Sequence, residues 1–494
     1  MTTRNEPAAG GASYAGIAIR GRAGALLVAA TVLASMVGFI DAYMINVAIP
    51  AIGRDLGTGV TGLQWVLTGY LVTVASMLLL AGALADHFGW RRLLMIGLGV
   101  MLIASLCCAA APNTAALIAA RVVQGAGGAM VVPSSLALLN GTLRPADRAK
   151  GIGIWAGLST LGTTLGPYGG GWLIDHASWR YVFLLNVPLI AAALWVLRGV
   201  PEVSRPRREL SVDLLGALLT VVGLGGVIYA LTAGPSDGWG SATVLVPGGV
   251  GVVCLAALVP VEQRQAAPML RTALFRIRQF VAINAATVLF YGALSAASYL
   301  VVLQCQLQLG YSATEAGAAL IPESAVFLLV SPFAGALVAR VGVRWPMAVG
   351  ILIVAGGFAW LSAASPGDSY LSAILPGALL WGLGIGLTVA PLTAGVLAAV
   401  DDADLGEASA INDAASRVGG VVLIALVPAL LGVGGSDDLV EPLGHRYQTA
   451  MLVMAALSVV AAVITLGYVA RGRPPATQLP ATPRVHGCAV PVST

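Results

Sequence analysis

Five ionisable side chains stand inside long apolar stretches of the sequence, where a charge is costly and is expected to have a function. They are Asp41, Arg121, Glu323, Asp413 and Arg417. A carboxyl group in such surroundings can bind and release a proton, and a nearby guanidinium favours its ionised form. We therefore interpret Asp41, Arg121, Glu323 and Asp413 as candidates for coupling proton movement to another process.

Three of these residues are predicted to lie at one depth in a membrane. Counted along predicted helices, Asp41, Arg121 and Glu323 each fall about 12–14 Å from the same surface at a rise of about 1.5 Å per residue. We expect them to converge, with Asp41 as the proton carrier and Arg121 as its exchangeable partner. The alternative for Asp41 and Arg121 is a purely structural ion pair. Glu323 is predicted to be a second proton site or to attract cations.

Asp413 and Arg417 are four residues apart and can pair on one helix. That local pair is the alternative to a role of Asp413 in coupling. Polar, charged and aromatic residues within spans are also candidates for lining a substrate cavity. These cavity candidates are Asn46, Gln124, Tyr291, Asn412 and Arg417.

The composition predicts that lipid surrounds most of the chain. Hydrophobic residues make up 58% of 494 positions and charged residues 10%, whereas about a quarter of the residues in a soluble domain are charged. Many uncharged stretches exceed about 18 residues, the length that crosses a bilayer as a helix. The predicted fold class is an all-α polytopic membrane protein with fourteen spans. The spans are predicted near 24–48, 61–84, 93–111, 115–139, 150–173, 181–199, 211–233, 241–261, 279–303, 315–339, 345–365, 370–395, 406–432 and 447–470.

Basic residues are divided unequally between the two sides of the predicted bundle. Of the 26 Arg and Lys residues, 21 lie in loops and tails on one side, three on the other and two inside spans. Positively charged loops stay in the cytoplasm, so we expect a multi-pass protein of the cytoplasmic (inner) cell membrane with both termini inside. The same bias accounts for most of the net charge of +4, which therefore does not indicate a nucleic-acid partner.

A repeated segment divides the chain into two related halves. The segment 82–91, GALADHFGWR, is echoed by 335–344, GALVARVGVR, at the second and tenth span ends. Related halves are usual in secondary transporters, and the spacing leaves two inserted helices between two six-helix bundles. The predicted domains are a cytoplasmic tail (1–22), a six-helix bundle (23–200), a two-helix insert with linkers (201–275), a second six-helix bundle (276–470) and a disordered cytoplasmic tail (471–494).

With these features the chain, from about residue 30 to 470, resembles the major facilitator superfamily, specifically its fourteen-helix drug:proton antiporter branch. The segment 41–50, DAYMINVAIP, is similar to the first-helix signature of that branch. The segment 121–125, RVVQG, matches a motif of the fourth helix. The 82–92 loop matches the superfamily's best-known motif, although His87 and Trp90 stand where basic residues are common.

The resemblance implies that the 82–92 loop is a gating motif. Asp86 would hold the inner gate through charge contacts and helix-end dipoles. Positive-inside topology alone explains the neighbouring arginines, but it does not explain an acid beside them. The gating candidates are Gly82, Asp86, Gly89, Arg91 and Arg92.

The most discriminating match lies in the fifth span. Its spacing G-x8-G-x3-G-P-x2-G-G is that of the antiporter motif and predicts a thin, bent helix, because glycines remove side chains and proline removes a backbone hydrogen bond. Generic packing of small residues is the alternative. The motif residues are Gly153, Gly162, Gly166, Pro167, Gly170 and Gly171.

The resemblance implies a proton-coupled exporter of amphipathic or cationic drugs that works by alternating access. The alternative is a dedicated exporter of one metabolite, antibiotic or lipid, since the same motifs occur in such relatives. A non-transporting sensor or scaffold is less favoured because it has no need for buried charge. No P-loop, Gly-x-Ser-x-Gly elbow or metal-ligand cluster is present in the sequence, so an enzyme, a metal and a cofactor are not expected. The expected partners are protons, small amphipathic or cationic molecules and the lipid bilayer, and the expected state is a monomer.

Overall fold

The computed structural model describes residues 16–200, 213–265, 272–401, 404–433 and 440–470, and most of these residues are helical. A helix satisfies its backbone hydrogen bonds internally, which an apolar chain in lipid requires. The predicted tail 471–494 and most of the predicted tail 1–22 lie outside the described residues. Residues 16–19 are described, and Ile17 forms an isolated bridge with Leu143.

The N-terminal half contains seven helices, of which two short ones form the sixth predicted span. They are α1 (Arg22–Leu56), α2 (Val60–Phe88), α3 (Trp90–Ala109), α4 (Thr114–Thr142), α5 (Pro145–His176), α6 (Arg180–Leu184) and α7 (Asn186–Leu197). The helices α8 (Leu214–Asp237) and α9 (Ala242–Glu262) follow as the predicted insert.

The C-terminal half begins with a short 3-10 helix, Thr272–Arg276, and then contains eight described α-helices. They are α10 (Arg278–Leu307), α11 (Ala313–Ala318), α12 (Ile321–Val341), α13 (Arg344–Leu361), α14 (Tyr370–Ala373), α15 (Leu375–Leu397), α16 (Leu405–Leu431) and α17 (Val440–Tyr468).

Thirteen helical segments in the described ranges are long and apolar enough to cross a membrane. They correspond to thirteen of the fourteen predicted spans. The remaining predicted span, 150–173, lies within α5, a helix of 32 residues. At about 1.5 Å per residue α5 is long enough to cross a bilayer, and its many glycine, serine and threonine residues make it less apolar than the other spans.

Three predicted spans are interrupted, each close to a proline. The breaks separate α6 from α7, α11 from α12 and α14 from α15. Pro188, Pro322 and Pro376 lie in the first turn of the second helix in each case. Proline has no N–H for the carbonyl four residues earlier, which favours an end of the preceding helix at these positions. Other prolines, such as Pro133 in α4 and Pro391 in α15, lie within unbroken helices.

The bundle has two ends, which we name by their connections. The distal end carries the connections 57–59, 110–113 and 308–312, and the basic end carries residue 89 and the connections 143–144 and 342–343. Within the N-terminal half α1 packs on α5 and α7, and α4 packs on α2 and α3. Within the C-terminal half α10 packs on α16 and α17, and α15 packs on α12 and α13.

The two halves meet through α5 with α11, α1 with α10, and α2 with α16. Gln306 on α10 donates a hydrogen bond to the Val47 carbonyl on α1, with a distance of 3.0 Å. Helix α8 lies beside the α2–α16 contact, where Ile228 packs with Val72 and Val421. These contacts are in the distal half of the helices, so the distal side of the molecule is closed.

Candidate functional site

Asp41 and Arg121 lie inside the N-terminal half, on α1 and α4. Helix α5 comes close to α1 because glycines face it, and a Cβ added at Gly166 would lie 3.1 Å from backbone atoms of Ile40. Ile40 precedes Asp41 in the chain, so this packing fixes the backbone beside the carboxylate. The side chains of Asp41 and Arg121 are both 0% exposed.

The Asp41 carboxylate accepts hydrogen bonds from three side chains. Its Oδ2 lies 2.6 Å from Nη1 of Arg121. Its Oδ1 lies 2.7 Å from Nε2 of Gln124 and 2.7 Å from Nδ2 of Asn186. Three donors around one ionised carboxyl group stabilise its charge. This geometry is therefore complementary to a deprotonated Asp41.

Arg121 has further partners that fix its guanidinium. Nε donates to the Val66 carbonyl at 3.1 Å, and Nη1 donates to Oε1 of Gln124 at 2.7 Å. The guanidinium carbon lies 4.4 Å from the ring centre of Tyr70 and 5.9 Å from that of Phe183, which are cation–π distances. A buried ion pair with these additional contacts has one well-defined geometry.

Two members of this network were not among the predicted site residues, namely Ser105 and Asn186. Ser105 Oγ accepts hydrogen bonds from Gln124 Nε2 at 2.9 Å and from Asn186 Nδ2 at 3.3 Å. Asn186 is the first residue of α7, immediately after the break that Pro188 explains. The signal that could have found it is an uncharged polar residue two positions before a proline inside an apolar span.

Glu323 does not join this network. Its Oε2 accepts a hydrogen bond from Ser324 Oγ at 3.0 Å, and its charge acts on the hydroxyl group of Tyr43 on α1. The predicted convergence of three charges is thus found for Asp41 and Arg121 and is wrong for Glu323. Tyr43 is two residues from Asp41 on α1, so Glu323 lies near the same level of that helix but on the side that faces the C-terminal half, whereas Asp41 faces Arg121 and Asn186.

Asp413 and Arg417 form a local ion pair on α16, the alternative that the sequence left open. Arg417 Nε lies 3.2 Å from Asp413 Oδ2, and the side chains are 24% and 47% exposed, respectively. The Arg417 charge also acts on Tyr43 and Tyr70, which belong to the N-terminal half. Arg417 therefore faces the space between the two halves.

The other cavity candidates have different surroundings. Asn412 Nδ2 donates to Asn284 Oδ1 at 3.1 Å and to Thr287 Oγ1 at 2.9 Å, which connects α16 to α10. Tyr291 on α10 is within electrostatic range of Asp413 and Tyr43. Asn46 is 6% exposed.

Gln124 was predicted to line the substrate cavity, but in the structure it lies inside the N-terminal half. It is fully buried and its amide is used by Asp41, Arg121 and Ser105. Gln124 therefore belongs to the buried network of the N-terminal half, where it cannot contact a molecule in the space between the halves.

The predicted gating motif forms the turn between α2 and α3. Gly89 has a φ of +95°, a conformation that favours glycine. Arg91 Nε donates to the Leu197 carbonyl at the end of α7, at 3.2 Å. Gly82 lies on α2 and Arg92 in the first turn of α3. The side chain of Asp86 lies outside the described part of the structure, so its gating role stays a prediction.

The glycines of the predicted antiporter motif have two kinds of neighbour. Gly162, Gly166 and Gly170 face α1, where a Cβ would contact Met36, Ile40 and Met44. That set connects α5 to its own half. A Cβ at Gly153 would meet no atom within 4 Å.

Gly171 belongs instead to a contact between the halves that we call the distal seal. The distal seal consists of Gly171 and Asp175 on α5 with Ala313, Thr314 and Gly317 on α11. A Cβ at Gly171 would collide with the Ala313 carbonyl, and a Cβ at Gly317 would collide with the carbonyl of Pro167. The two backbones approach closely because both positions are glycine.

Asp175 adds hydrogen bonds to the distal seal. Its carboxylate accepts from the backbone N–H of Ala313 at 3.1 Å, from the N–H of Thr314 at 2.8 Å and from the Thr314 hydroxyl at 2.5 Å. Partial burial acts to raise the pKa of Asp175, but these hydrogen bonds outweigh it and lower the pKa below its ordinary value. Asp175 therefore remains an ionised acceptor at neutral pH.

Comparison with known proteins assigns the fold to a family. The model of the Major Facilitator Superfamily matches residues 31–268 and 283–491, more than half of the chain. The chain belongs to the major facilitator superfamily. It is thus a multi-pass membrane protein of a transporter family, and no group of three or more His, Cys, Asp or Glu residues in the described ranges is placed to hold a metal.

Several relatives in this superfamily are named for resistance or export. The multidrug resistance protein Stp of Mycobacterium tuberculosis is 34% identical over 418 residues, which cover 84% of this chain and 77% of that protein. The cephamycin export protein CmcT of Amycolatopsis lactamdurans is 34% identical, with coverage of 90% and 94%. The puromycin resistance protein pur8 of Streptomyces alboniger is 33% identical, with coverage of 80% and 79%.

Solved structures support the fold alone. The POT family transporter PepTSo superposes with a TM-score of 0.64 at 15% identity, covering 89% of this chain and 96% of that chain. A peptide transporter POT mutant in complex with sulfate gives a TM-score of 0.67 at 15% identity, with coverage of 92% and 96%.

Proposed function

We propose that this protein is a proton-coupled antiporter that exports amphipathic or cationic drugs and antibiotics across the cytoplasmic membrane. The observation that carries the proposal is the ion pair of Asp41 and Arg121, which is fully buried and whose carboxylate accepts hydrogen bonds from three side chains. A charge enclosed in this way within a membrane span is energetically costly, so its presence indicates a function. The names of the relatives favour drug or antibiotic export as that function.

The proposed cycle follows from the closed distal side. In this state Asp41 is ionised and held by Arg121, Gln124 and Asn186, and the substrate enters from the basic end. When the distal seal opens, Asp41 separates from Arg121 and takes up a proton from outside. Return to the distal-closed state restores the ion pair and releases the proton inside.

The space between the halves is the proposed substrate site. Tyr43, Tyr291 and Glu323 present aromatic rings and a carboxyl group that suit an amphipathic cation. Asp413 and Arg417 provide a half-exposed pair of charges in the same space. These contacts are weakly directional, which suits a transporter of several compounds.

We further propose that the basic end faces the cytoplasm, with both termini on that side, and that the protein acts as a monomer. Protons, the transported molecule and the lipid bilayer are its proposed partners. A dedicated exporter of one metabolite or antibiotic is the second candidate, because CmcT is named for the export of cephamycin.

The test is efflux from proteoliposomes with an imposed pH gradient and a panel of cationic and neutral dyes and antibiotics. We expect Asp41→Asn to lower gradient-driven efflux about 5- to 150-fold, the factor that corresponds to a typical coupling free energy between two sites. Asp237→Asn, an exposed acid at the end of α8, is the matched control and should retain activity. Efflux that ignores the gradient, or that survives Asp41→Asn, contradicts the proposal. A response to one compound alone supports the dedicated exporter.

A further inference from the structure

Asn186 differs from the other partners of Asp41 in having an unused acceptor. Its Nδ2 donates to Asp41 Oδ1 at 2.7 Å, whereas its Oδ1 is buried and has no hydrogen-bond partner among the described residues. Asn186 itself is 0% exposed. A buried amide oxygen without a partner is costly, so its retention beside a titrating group requires a reason.

The two protonation states of Asp41 need opposite partners. An ionised carboxylate only accepts hydrogen bonds, whereas a protonated carboxyl group also has an O–H to donate. Arg121 offers donors alone. In the described network the protonated form of Asp41 therefore needs an acceptor that the ionised form does not use.

Gln124 is not that acceptor, because both ends of its amide are engaged. Its Oε1 accepts from Arg121 Nη1 at 2.7 Å, and its Nε2 donates to Asp41 and to Ser105. Exchange of the two ends would bring Oε1 against the carboxylate and Nε2 against the guanidinium. The orientation of Gln124 is thus fixed by the arginine.

Asn186 can exchange its ends without such a conflict. A rotation of about 180° about χ2 brings Oδ1 to the place of Nδ2, since this terminal torsion is roughly two-fold. Oδ1 then accepts the O–H of protonated Asp41. Ser105, whose hydroxyl oxygen now accepts from Asn186 at 3.3 Å, turns its own O–H toward Oδ1, because a hydroxyl group can donate or accept.

We propose that Asn186 is a positioning residue that accommodates both protonation states of Asp41 by exchanging the ends of its amide. The inference rests on the proposed role of Asp41 as the proton carrier. When Asp41 is protonated, one proton binds a carboxylate oxygen and no other covalent bond changes. The amide of Asn186 then accepts a hydrogen bond from Asp41 where it had donated one.

The ionisable groups that face Asp41 in the described part of the protein come from three neighbouring helices. They are Arg121 from α4, Tyr70 from α2 and Cys108 from α3. Helix α5 contributes close backbone packing at Gly166, and α7 contributes the uncharged Asn186. A change in pH dependence caused by Asn186 therefore acts through Asp41 and does not introduce a new titrating group.

The test compares Asn186→Thr with Asn186→Val in proteoliposomes. Threonine and valine have the same branched shape, but only the threonine hydroxyl can both donate and accept. We expect Asn186→Val to raise the pH of half-maximal gradient-driven efflux by about one unit. The variant loses the hydrogen bond to ionised Asp41 and the hydrogen bond from protonated Asp41, and the first is the stronger because it involves a charged group. Asn186→Thr should stay within about 0.3 unit of the unchanged protein.

Exchange of substrate at equal pH on both sides is the second readout, since it requires no net proton transfer. Because Asn186 is buried beside Asp41, we expect both variants to lower exchange, and a purely structural role would lower exchange and gradient-driven efflux by the same factor at every pH. The inference instead requires the ratio of gradient-driven efflux to exchange to change with pH more in Asn186→Val than in Asn186→Thr. If Asn186→Thr and Asn186→Val give the same pH profile, shifted or not, the inference is wrong. If Asp41→Asn leaves gradient-driven efflux intact, the proposed function is wrong, and this result does not depend on the Asn186 variants.

Discussion

Two of the Asp–Arg pairs among the described residues lie inside predicted spans, and these two differ in almost every physical respect. Asp41 and Arg121 come from different helices, are 0% exposed and have an N–O distance of 2.6 Å. Asp413 and Arg417 are one turn apart on α16, are partly exposed and have an N–O distance of 3.2 Å. The first pair depends on the fold of a whole half, and the second depends on one helix.

Under the proposed function, this difference allows one bundle to hold a proton site and a substrate space side by side. Tyr70 lies between the two pairs, because its ring packs under the Arg121 guanidinium and its hydroxyl is within range of the Arg417 charge. A buried pair has a high cost of separation, whereas a partly exposed pair can be solvated. We infer that coupling is strong at the first pair and that adaptable binding is available at the second.

The largest predicted effect is that of breaking the buried pair. Arg121→Gln leaves Asp41 as a buried charge without its cation, and we expect the free energy of unfolding to fall by about 3–5 kcal/mol. The measurement is reversible unfolding in mixed micelles. The double variant Asp41→Asn/Arg121→Gln has no buried charge and should recover much of the loss. A double variant as unstable as Arg121→Gln would show that packing, not charge, causes the effect.

The second predicted effect concerns the distal seal, which in the proposed cycle keeps the buried pair apart from solvent on the distal side. Gly171→Ala places a Cβ against the Ala313 carbonyl, and we expect it to destabilise the distal-closed state by about 1–3 kcal/mol. Hydrogen exchange of backbone amides next to Asp41 should become faster. Gly153→Ala, in the same motif but with no atom within 4 Å, should leave exchange unchanged. Equal exchange in both variants would remove the distal seal from this role.

The smallest predicted effect is that of breaking the local pair on α16. Arg417→Gln should change the free energy of unfolding by less than about 1 kcal/mol, as is usual for exposed or local pairs. An increase in ionic strength from about 0.1 to 1 M should reduce this difference further, because the screening length falls from about 10 to 3 Å. A loss as large as that of Arg121→Gln would mean that the two pairs are energetically alike.

The residues that the sequence indicates most clearly are those whose chemistry conflicts with their surroundings. Asp41 and Arg121 are charged residues in apolar spans, and the structure joins them. Ser105 and Asn186 are uncharged, and many polar residues of that kind occur in membrane helices, so neither stands out by its charge. Only the proline two positions after Asn186 marks that residue in the sequence. Glu323 does not join Asp41 and Arg121, because a residue count along a helix gives a depth and not the direction in which a side chain points.

The sequence by itself determined that the chain is a bundle of membrane-spanning helices with a repeated loop and a two-helix insert, because hydropathy and charge act locally along the chain. Only the tertiary structure decided which polar groups meet. Asn186 lies 145 residues from Asp41 in the chain, and no periodicity in a helix specifies a partner at that separation. Packing between helices makes that choice, since it alone brings distant side chains within hydrogen-bond distance.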